Sequence, residues 1–476
     1  MSTIEAVVAR ALNIDVARLA DDVGYQSIAE WDSFAHVNLM LALGDELGVE
    51  ITNEQMLELS SMHAIKAFAA RRKMNGAQSL EPAPRPHTAT VAASATIHRG
   101  LSGVTFDCSA ITHIDGEHGR LAYRGYDIND LAEHATFEET AWLLLEGELP
   151  TANELPRFTA DLGSDRSVPE PVPAILGAMR DAHPMDTLRT AVSALASLDP
   201  STAKQGSDAA KRAGLRLIAQ VPTVIAAHHA LRSGRTPLAP EPRLSQPHDF
   251  LRMLLGREPA PELVRLMDQD LIVHADHSAN ASTFAARVAT GCGVGMHAAI
   301  TAALAAFAGP LHGGAVEQAL AQIDSIGVPE QAAAYVRDRQ ARNLSVMGFG
   351  HRVYRTEDPR VRHFRATAGA LSRQFGDTRA FETVEALVEA MQPFARFGIG
   401  PNVDLYAGLI YRLLGLPDDL ACAIFAVGRM PGWIAHVIEQ QSENILIRPL
   451  LHYVGPPSRA LVSLADRAES SADLAR

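Results

Sequence analysis

Three features of the sequence predict an all-α fold for the greater part of this chain. Stretches such as residues 295–307 are rich in alanine, the residue with the highest helix propensity. Runs that alternate apolar and polar residues with the period of a strand are scarce. Gly309 and Pro310 directly follow the alanine-rich stretch, as expected where a helix ends. The predicted architecture is therefore a set of packed helices.

Composition limits the classes of function. A chain of 476 residues with 47% hydrophobic residues can form about two to four domains and bury a large core. The net charge of -13, without a basic cluster, argues against nucleic acid or an anionic membrane as a partner. Three widely spaced cysteines favour a reducing compartment over a disulfide scaffold. Residues 1–24 show no signal peptide and no apolar run approaches a membrane span, so we expect a soluble, cytoplasmic protein.

Residues 1–72 are predicted to form a small helical unit. Its helices are expected at residues 4–12, 33–47, 53–59 and 62–70. An apolar stripe at three- and four-residue spacing supports the second of them, and consists of Phe34, Val37, Met40, Leu41 and Leu47. Residues 73–96 are rich in proline, alanine and threonine, which predicts a flexible linker that spans roughly 25 to 30 Å. Residues 97–476 form the main body.

Ser33 opens the second predicted helix. Taken alone it is a plain N-cap, because a serine side chain readily accepts a hydrogen bond from the first helical turn. Its surroundings resemble an acyl carrier protein: Asp32, Ser33 and Phe34 match the Asp-Ser-Leu motif except for the phenylalanine. Residues 21–24 and 43–51 are also similar to the stretches before and after that motif. The resemblance implies that a phosphopantetheinyl transferase attaches 4'-phosphopantetheine to Ser33.

Five short segments of the main body contain histidine, aspartate or arginine, and four of them also contain glycine or proline. They are His-Ala-Asp-His at 274–277, Gly-Pro-Leu-His-Gly-Gly at 309–314, Gly-Phe-Gly-His-Arg at 348–352, Pro-Asn-Val-Asp at 401–404 and Gly-Arg at 428–429. Imidazole and carboxylate groups can move a proton on a carbon acid, and arginine pairs with a carboxylate through two hydrogen bonds. The pattern predicts an enzyme with an anionic substrate.

These segments resemble the citrate synthase family. Additional similar segments extend the resemblance to about residues 99–470, and lie at 100–104, 114–116, 123–126, 144–150, 448–449 and 453–456. The resemblance implies a large helical domain with an inserted small domain at about residues 315–418. It also implies a homodimer whose active sites use residues of both subunits.

The resemblance implies a role for each catalytic residue. Asp404 is the base that takes the α-proton of an acyl thioester. His312 is the neutral imidazole that hydrogen-bonds the thioester carbonyl and its enol. His351 donates to the carbonyl of oxaloacetate as this becomes an alkoxide. The family then hydrolyses the citryl thioester, which drives the reaction forward.

The resemblance also implies a set of binding residues. The carboxylates of oxaloacetate are expected against His277, Arg360, Arg429 and Arg448 of the partner subunit. His274 and Asn280 are further substrate-binding positions, whereas Gly348 and Arg352 are expected to bind coenzyme A (CoA) or pantetheine. His274 and His277 have a spacing that zinc could use, but the chain offers no third ligand at a matching position, so no metal is predicted.

Departures from the family pattern leave the acyl donor open. Ser278 stands where glutamate is usual, and Arg355 replaces a common lysine. Phe397 lies near a position at which members often carry a lysine for a CoA phosphate, although Arg396 is adjacent. A weaker phosphate contact would affect free acyl-CoA more than a pantetheine arm. We therefore expect either a donor carried on Ser33 of the same chain or an ordinary CoA-dependent citrate or 2-methylcitrate synthase. A carrier or scaffold protein without turnover is the alternative from another class.

Overall fold

The computed structural model describes residues 3–20, 23–25, 28, 30–31, 33–49, 51–74, 97–101, 103–203, 206–351, 353–461 and 463. Three features predicted above fall outside these residues: most of the linker, Asp32 and Arg352. Helical structure dominates the described ranges, so the prediction of an all-α fold is confirmed.

The N-terminal unit, which we define as residues 3–74, is helical. Its α-helices are α1 (Thr3–Leu12), α2 (Ser33–Leu47), α3 (Asn53–Glu58) and α4 (Met62–Met74). The last helix is four residues longer than the sequence predicted. A capping box begins α3, because Thr52 Oγ1 accepts from Gln55 N at 3.3 Å and Gln55 Oε1 accepts from Thr52 N at 3.1 Å. The unit has its own apolar core, in which the most buried side chains include Val8, Trp31, Leu39, Leu43 and Met62.

The main body contains most of the helices. They are α5 (Ile128–His134), α6 (Phe137–Glu146), α7 (Glu154–Ser164), α8 (Val172–Ala178), α9 (Pro184–Leu195), α10 (Ser207–Arg232), α11 (Gln246–Leu255), α12 (Pro261–His274), α13 (Ala281–Gly291), α14 (Met296–Phe307), α15 (Ala315–Ile326), α16 (Ala332–Ala341), α17 (Val361–Phe375), α18 (Arg379–Ala395), α19 (Val403–Leu413) and α20 (Ala421–Ser442). Short 3₁₀ turns lie at Val16–Arg18, Arg99–Leu101, Pro200–Ala203, Pro329–Gln331 and Asp418–Leu420.

A small antiparallel sheet, which the sequence analysis did not predict, lies before the first helix of the body. Its strands are β1 (Thr112–Asp115), β2 (Arg120–Tyr123) and β3 (Tyr126–Asp127), and Thr112 pairs with Tyr123. The β1–β2 turn touches a later loop: Arg355 N donates to Gly116 O at 2.8 Å. A Cβ on Gly116 would lie 2.2 Å from Val353 O, so this close approach requires glycine.

Helix α20 is the centre of the body and packs against α10, α12, α13 and α14. Together with the preceding 3₁₀ turn, Asp418–Ser442 is long and apolar enough to cross a membrane, contrary to the expectation that no run approaches that length. However, 94% of its apolar window is buried inside the protein. The apolar surface of this helix is therefore used for packing against its neighbours.

Candidate active site

The first part of the candidate site lies at the carboxyl end of α12, where two glycines of α20 allow a close approach. A Cβ on Gly428 would lie 2.9 Å from His274 Cβ, and one on Gly432 would lie 2.2 Å from Ala275 O. A larger residue at either position would push the two helices apart. The glycine of the Gly-Arg segment is therefore required by packing.

His274 is buried between two phenylalanine rings. Its ring stacks on Phe425 with centroids 4.0 Å apart and on Phe364 at 5.7 Å. Nδ1 lies 2.8 Å from Asp270 O, and since a carbonyl oxygen only accepts, Nδ1 carries the proton. Within the described part of the chain, Nε2 has no hydrogen-bond partner. His274 thus presents an unpaired acceptor in the protein interior.

Asp276 fixes the loop that follows α12. Its Oδ2 accepts from Thr112 Oγ1 at 2.6 Å and from Ser278 N at 2.8 Å. Burial would raise the pKa of this carboxyl, but the charge of His436 and the hydrogen bonds outweigh burial and lower it. The carboxylate is therefore ionised and holds the loop in place.

His277 faces two other aromatic side chains of the site. Its Nε2 lies 3.1 Å from Tyr354 Oη, and its ring packs edge-on against His351 with centroids 4.9 Å apart. Burial, followed by the charge of Arg360, lowers the pKa of His277 well below its usual value. The imidazole is therefore neutral at physiological pH.

Two loops meet and determine the position of Asp404. Gly350 N donates to Gly400 O at 2.8 Å, and Asn402 N donates to Gly348 O at 2.9 Å. Gly348 and Gly350 both have a φ of +80°, which glycine adopts without steric cost. Asn402 also caps α19, because its Oδ1 accepts from Asp404 N at 3.1 Å. The aspartate is therefore held in the first turn of a helix.

His351 follows this glycine loop and has a defined tautomer. Its Nδ1 accepts from Val353 N at 3.0 Å and from Tyr354 N at 3.2 Å. Backbone N–H groups only donate, so the ring proton of the neutral form lies on Nε2. Burial, followed by the charge of Arg360, lowers the pKa of His351 to about 4. The side chain is thus a neutral imidazole that can donate through Nε2.

Arg360 is buried and paired with Asp358. Its Nε and Nη2 donate to the two carboxylate oxygens at 2.9 and 2.7 Å. Burial would lower the pKa of the guanidinium, but Asp358 outweighs this and raises it. Among the described residues, Nη1 has no hydrogen-bond partner. Arg360 is therefore a permanent cation inside the site, and its Nη1 has no partner among the described residues.

Arg429 is the second buried cation. Its Nε donates to His274 O at 2.5 Å, and its Cζ lies 5.8 Å from the centroid of the Phe307 ring. Burial lowers the pKa of this guanidinium, although it remains a strong base. Its two terminal nitrogens have no hydrogen-bond partner in the described ranges. They are available for an anionic ligand.

His312 is positioned by the N-terminus of α13. Asn280 caps that helix by accepting from Ser282 N and Thr283 N, both at 3.1 Å. Ser282 N also donates to His312 Nε2 at 3.3 Å, and Phe307 packs edge-on against the imidazole with centroids 5.0 Å apart. The same nitrogen lies 2.8 Å from Ser282 Oγ and 3.1 Å from Asn280 Oδ1. The first turn of α13 therefore holds the imidazole through Nε2.

Asp404 has the chemical properties of a base. Burial raises the pKa of its carboxyl to about 7, although the charges of Arg360 and Arg429 oppose this shift. In the described part of the chain its carboxylate oxygens have no hydrogen-bond partner. The charges of Arg360 and Arg429 also act on His277. A carboxyl group with a pKa near neutral pH and a neutral imidazole are therefore both within the electrostatic influence of the same two cations.

Three other residues predicted for the site are Gly348, Arg448 and Ser33. Gly348 packs against Leu405, whereas Arg448 is exposed on the segment that follows α20. Ser33 is the first residue of α2, and its side chain is not described. Among the described residues, no three His, Cys, Asp or Glu side chains converge as metal ligands would.

Sequence reasoning missed several residues that organise the site. Asp358 pairs with Arg360, Tyr354 touches both His277 and His351, and Ser282 orients His312. The spacing of the Asp-Pro-Arg segment could have indicated the ion pair. The position of Tyr354 three residues after His351 could have indicated their contact, whereas no local signal could have indicated its contact with the distant His277.

The comparisons with known proteins agree with this geometry. A family profile described as "Citrate synthase, C-terminal domain" matches residues 100–450. Citrate synthase of Deinococcus radiodurans is 39% identical over 373 residues, which cover 78% of this chain and 99% of that protein. "2-methylcitrate synthase 2" of Corynebacterium glutamicum is 38% identical over 382 residues, or 79% of this chain and 99% of that protein.

A solved structure is also similar. The ternary complex of citrate synthase from Thermoplasma acidophilum with carboxymethyl coenzyme A and oxaloacetate has a TM-score of 0.75 and 34% identity, and covers 78% of this chain and 100% of that one. Fold and site together define an all-α enzyme with acid–base and anion-binding groups in one space. The chain belongs to the citrate synthase family.

Proposed function

We propose that this chain condenses an acyl thioester with oxaloacetate, or a related 2-oxo acid, to give citrate or a 2-alkylcitrate. The observation that carries the proposal is the state of Asp404, whose carboxyl has a pKa of about 7 and lies beside Arg360 and Arg429. A general base is most effective when its pKa is close to the working pH. Membership of a family that includes citrate and 2-methylcitrate synthases supports the same reaction.

In the first step, Asp404 takes a proton from the α-carbon of the thioester. The oxygen of the thioester carbonyl gains negative charge as the proton leaves. His312, held in place by Ser282 and Asn280, donates a hydrogen bond to that oxygen. A neutral imidazole suits this role, since it can stabilise the enol oxygen as a hydrogen-bond donor.

In the second step, the α-carbon forms a bond to the ketone carbon of oxaloacetate. His351 gives its Nε2 proton to the ketone oxygen, which becomes the hydroxyl group, and the proton that Asp404 took from the α-carbon balances this transfer. The substrate carboxylates pair with the unused nitrogens of Arg360 and Arg429, next to His277. Water then cleaves the thioester, so that the products are a tricarboxylate and a free thiol.

Thiol release tests this proposal. We expect free thiol when oxaloacetate is mixed with acetyl-CoA or propionyl-CoA, and no thiol when oxaloacetate is omitted. A protein purified as the full chain that releases no thiol, from either CoA thioester or from an acyl group on Ser33, would be a carrier or scaffold without turnover. The relative rates with the two acyl groups also identify the preferred chain.

The site is proposed to be completed in a homodimer by Arg448 of the partner subunit. Support comes from the exposed segment after α20, which leaves large apolar side chains uncovered at Leu450, Leu451, Tyr453 and Val454. Arg448→Ala and Asp404→Asn, each nearly inactive alone, should together regain about a quarter of wild-type activity after subunit exchange, since half of the dimers would have one intact site. No recovery after proven exchange would exclude this role of Arg448.

The acyl donor is proposed to be carried on 4'-phosphopantetheine at Ser33, with an ordinary CoA-dependent synthase as the alternative. The arm would hold the acyl group as a thioester, while the proton transfers remain with the residues of the body. One observation favours the first option: His36 and Val37, one turn after position 33, line a groove together with His351. A tethered donor would also have a high effective concentration.

Intact-protein mass spectrometry tests the carried donor. Coexpression with a phosphopantetheinyl transferase should add one phosphopantetheine mass to the wild type and none to Ser33→Ala. Oxaloacetate should then discharge an acyl group loaded on the wild type, whereas Ser33→Ala should retain any activity with free acyl-CoA. If the mass never changes, Ser33 is only a helix cap and the CoA-dependent synthase stands.

A further inference from the structure

The N-terminal unit contacts the body through one face of α2. Val37 is 2% exposed, yet it belongs to the buried apolar cluster of the main body and not to that of its own unit. Leu41, one turn further along the helix, and Met56 of α3 pack against the same cluster. We call His36, Val37, Leu41 and Met56 the docking face. It connects two otherwise separate apolar cores.

The surface of the body that receives this face comes from three of its segments. Leu41 lies in a groove formed by α16 and α18, whose lining includes Val336 and Phe394. Asn38 Nδ2 donates to Asn343 Oδ1 at 3.2 Å, just after α16. The described part of this contact therefore combines apolar packing with a neutral hydrogen bond.

At its other end the docking face reaches the candidate active site. His36, Val37 and Met56 line one groove together with Gly350, His351, Phe397 and Ile399. The groove has a cavity volume of about 60 Å³, which is room for a few waters but not for a nucleotide. Either donor that enters from this side would therefore have to widen the contact, and the bulky nucleotide of a free acyl-CoA would have to displace the N-terminal unit further than a narrow pantetheine arm would.

Position 33 lies on the same face of α2 as the residues that line this groove. Residues three and four apart on an α-helix lie on the same side, so position 33 precedes His36 and Val37 on the docking face by one turn, roughly 5 Å along the axis. A group attached there begins beside the groove that leads to His351.

We infer that the docking face is the surface through which the N-terminal unit delivers its own acyl thioester to the active site, and that the docked unit hinders free acyl-CoA. This inference rests on the proposed carrier function of Ser33. It goes further by naming the interface, its occupant and the residues that select a carrier-bound donor over a CoA-bound one.

The test compares Val37→Asp with Ala70→Asp in the full chain. The first places a carboxylate in the apolar contact, and the second places the same group on an exposed position of α4. Leu41→Asp is a second variant of the N-terminal unit, and Asn343→Gly is a variant of the body. Glycine at position 343 keeps the positive φ of Asn343 while removing its hydrogen bond. Complete modification of Ser33 by the transferase checks that the unit is still folded.

The first readout is a single turnover. Each protein is loaded with acetyl-phosphopantetheine, mixed with oxaloacetate, and followed by intact mass. Val37→Asp and Leu41→Asp should lose the acetyl group about ten-fold more slowly than wild type, since the local concentration of the donor falls. Ala70→Asp should match wild type. With free acetyl-CoA, the docking variants should be as fast as wild type or faster.

The second readout does not depend on activity. Hydrogen exchange of the unmodified proteins should increase at residues 333–343 and 394–399 in Val37→Asp but not in Ala70→Asp. If Val37→Asp and Leu41→Asp discharge at the wild-type rate, and hydrogen exchange in Val37→Asp is unchanged, the docking inference is overturned and the carrier function remains intact. If loaded wild-type protein never discharges, the carrier function and the docking inference both fail.

Discussion

The N-terminal unit and the main body differ in what they bury. The described core of the unit is almost entirely apolar, with His36 as a buried polar exception. The interior of the body contains charged groups, among them Asp276, Asp358, Arg360 and Arg429. Buried charges are costly unless they are paired, so the body gives up stability to hold reactive groups in a dry space. The described buried charges therefore lie in the body, whereas the proposed contribution of the unit is the carried acyl group and its position against the body.

The largest expected effect tests whether all chemistry belongs to the body. Asp404→Asn should lower the rate of condensation about 10³-fold, because the amide cannot take the α-proton. The loss should be equal for CoA-bound and Ser33-bound acyl groups, since both use the same base. Asp377→Asn, an exposed aspartate between α17 and α18, is the matched control and should match wild type. Steady-state thiol release measures the activity of both variants. Near-normal turnover of Asp404→Asn would show that Asp404 is not the base.

The same variant also tests how a buried carboxylate affects the stability of the body. The pKa of Asp404 is raised from its ordinary value to about 7, so its ionisation disfavours the folded state as pH rises towards 7. Asp404→Asn should therefore stabilise the protein by on the order of 2 to 4 kcal/mol at pH 8, at about 1.4 kcal/mol for each pKa unit. Below the ordinary pKa of aspartate the gain should vanish. Urea unfolding at pH 8 and pH 4 measures the difference, and an equal gain at both would contradict it.

The next prediction concerns packing at the centre of the body. Gly432→Ala should destabilise the protein by about 2 to 3 kcal/mol, since the added Cβ would meet Ala275 O at 2.2 Å. Gly177→Ala is the matched control, because Gly177 lies in α8 with open space around it and alanine has the higher helix propensity. Denaturant unfolding should show a loss for the first and a small gain for the second. A similar result for both would mean that α12 and α20 are not closely packed.

Much of the fold was predictable because it depends on local properties. Alanine-rich stretches, helix caps and apolar spacing predicted the bounds of α1 and α2 to within one residue. The short sheet before α5 was missed, since its strands contain only two to four residues and are stabilised by pairing, not by a pattern.

The sequence predicts which residues form the candidate site, but it does not predict the electrostatics of that site. The motifs indicated His351 and Asp404, but not that Val353 N and Tyr354 N fix the tautomer of the histidine. Nor did they indicate the pKa of the aspartate, which depends on burial by distant segments. Contacts between residues far apart in the sequence decide these properties, and the sequence pattern near a motif does not contain them.

The smallest expected effect tests whether the unit is energetically separate from the body. Trp31 Nε1 donates to His36 Nδ1 at 3.0 Å, and His36 Nε2 lies 3.1 Å from Met56 O, so the imidazole is neutral and fully paired. Trp31→Phe removes the indole donor and should destabilise the unit by about 1 kcal/mol. Hydrogen exchange should increase in α2 and α4 but not in α20, and condensation with free acyl-CoA should not change. Trp142→Phe, which makes the same replacement in the body, is the control and should leave exchange in α2 unaltered. If Trp31→Phe also increased exchange in α20, the two cores would unfold together and the separation of unit and body would be wrong.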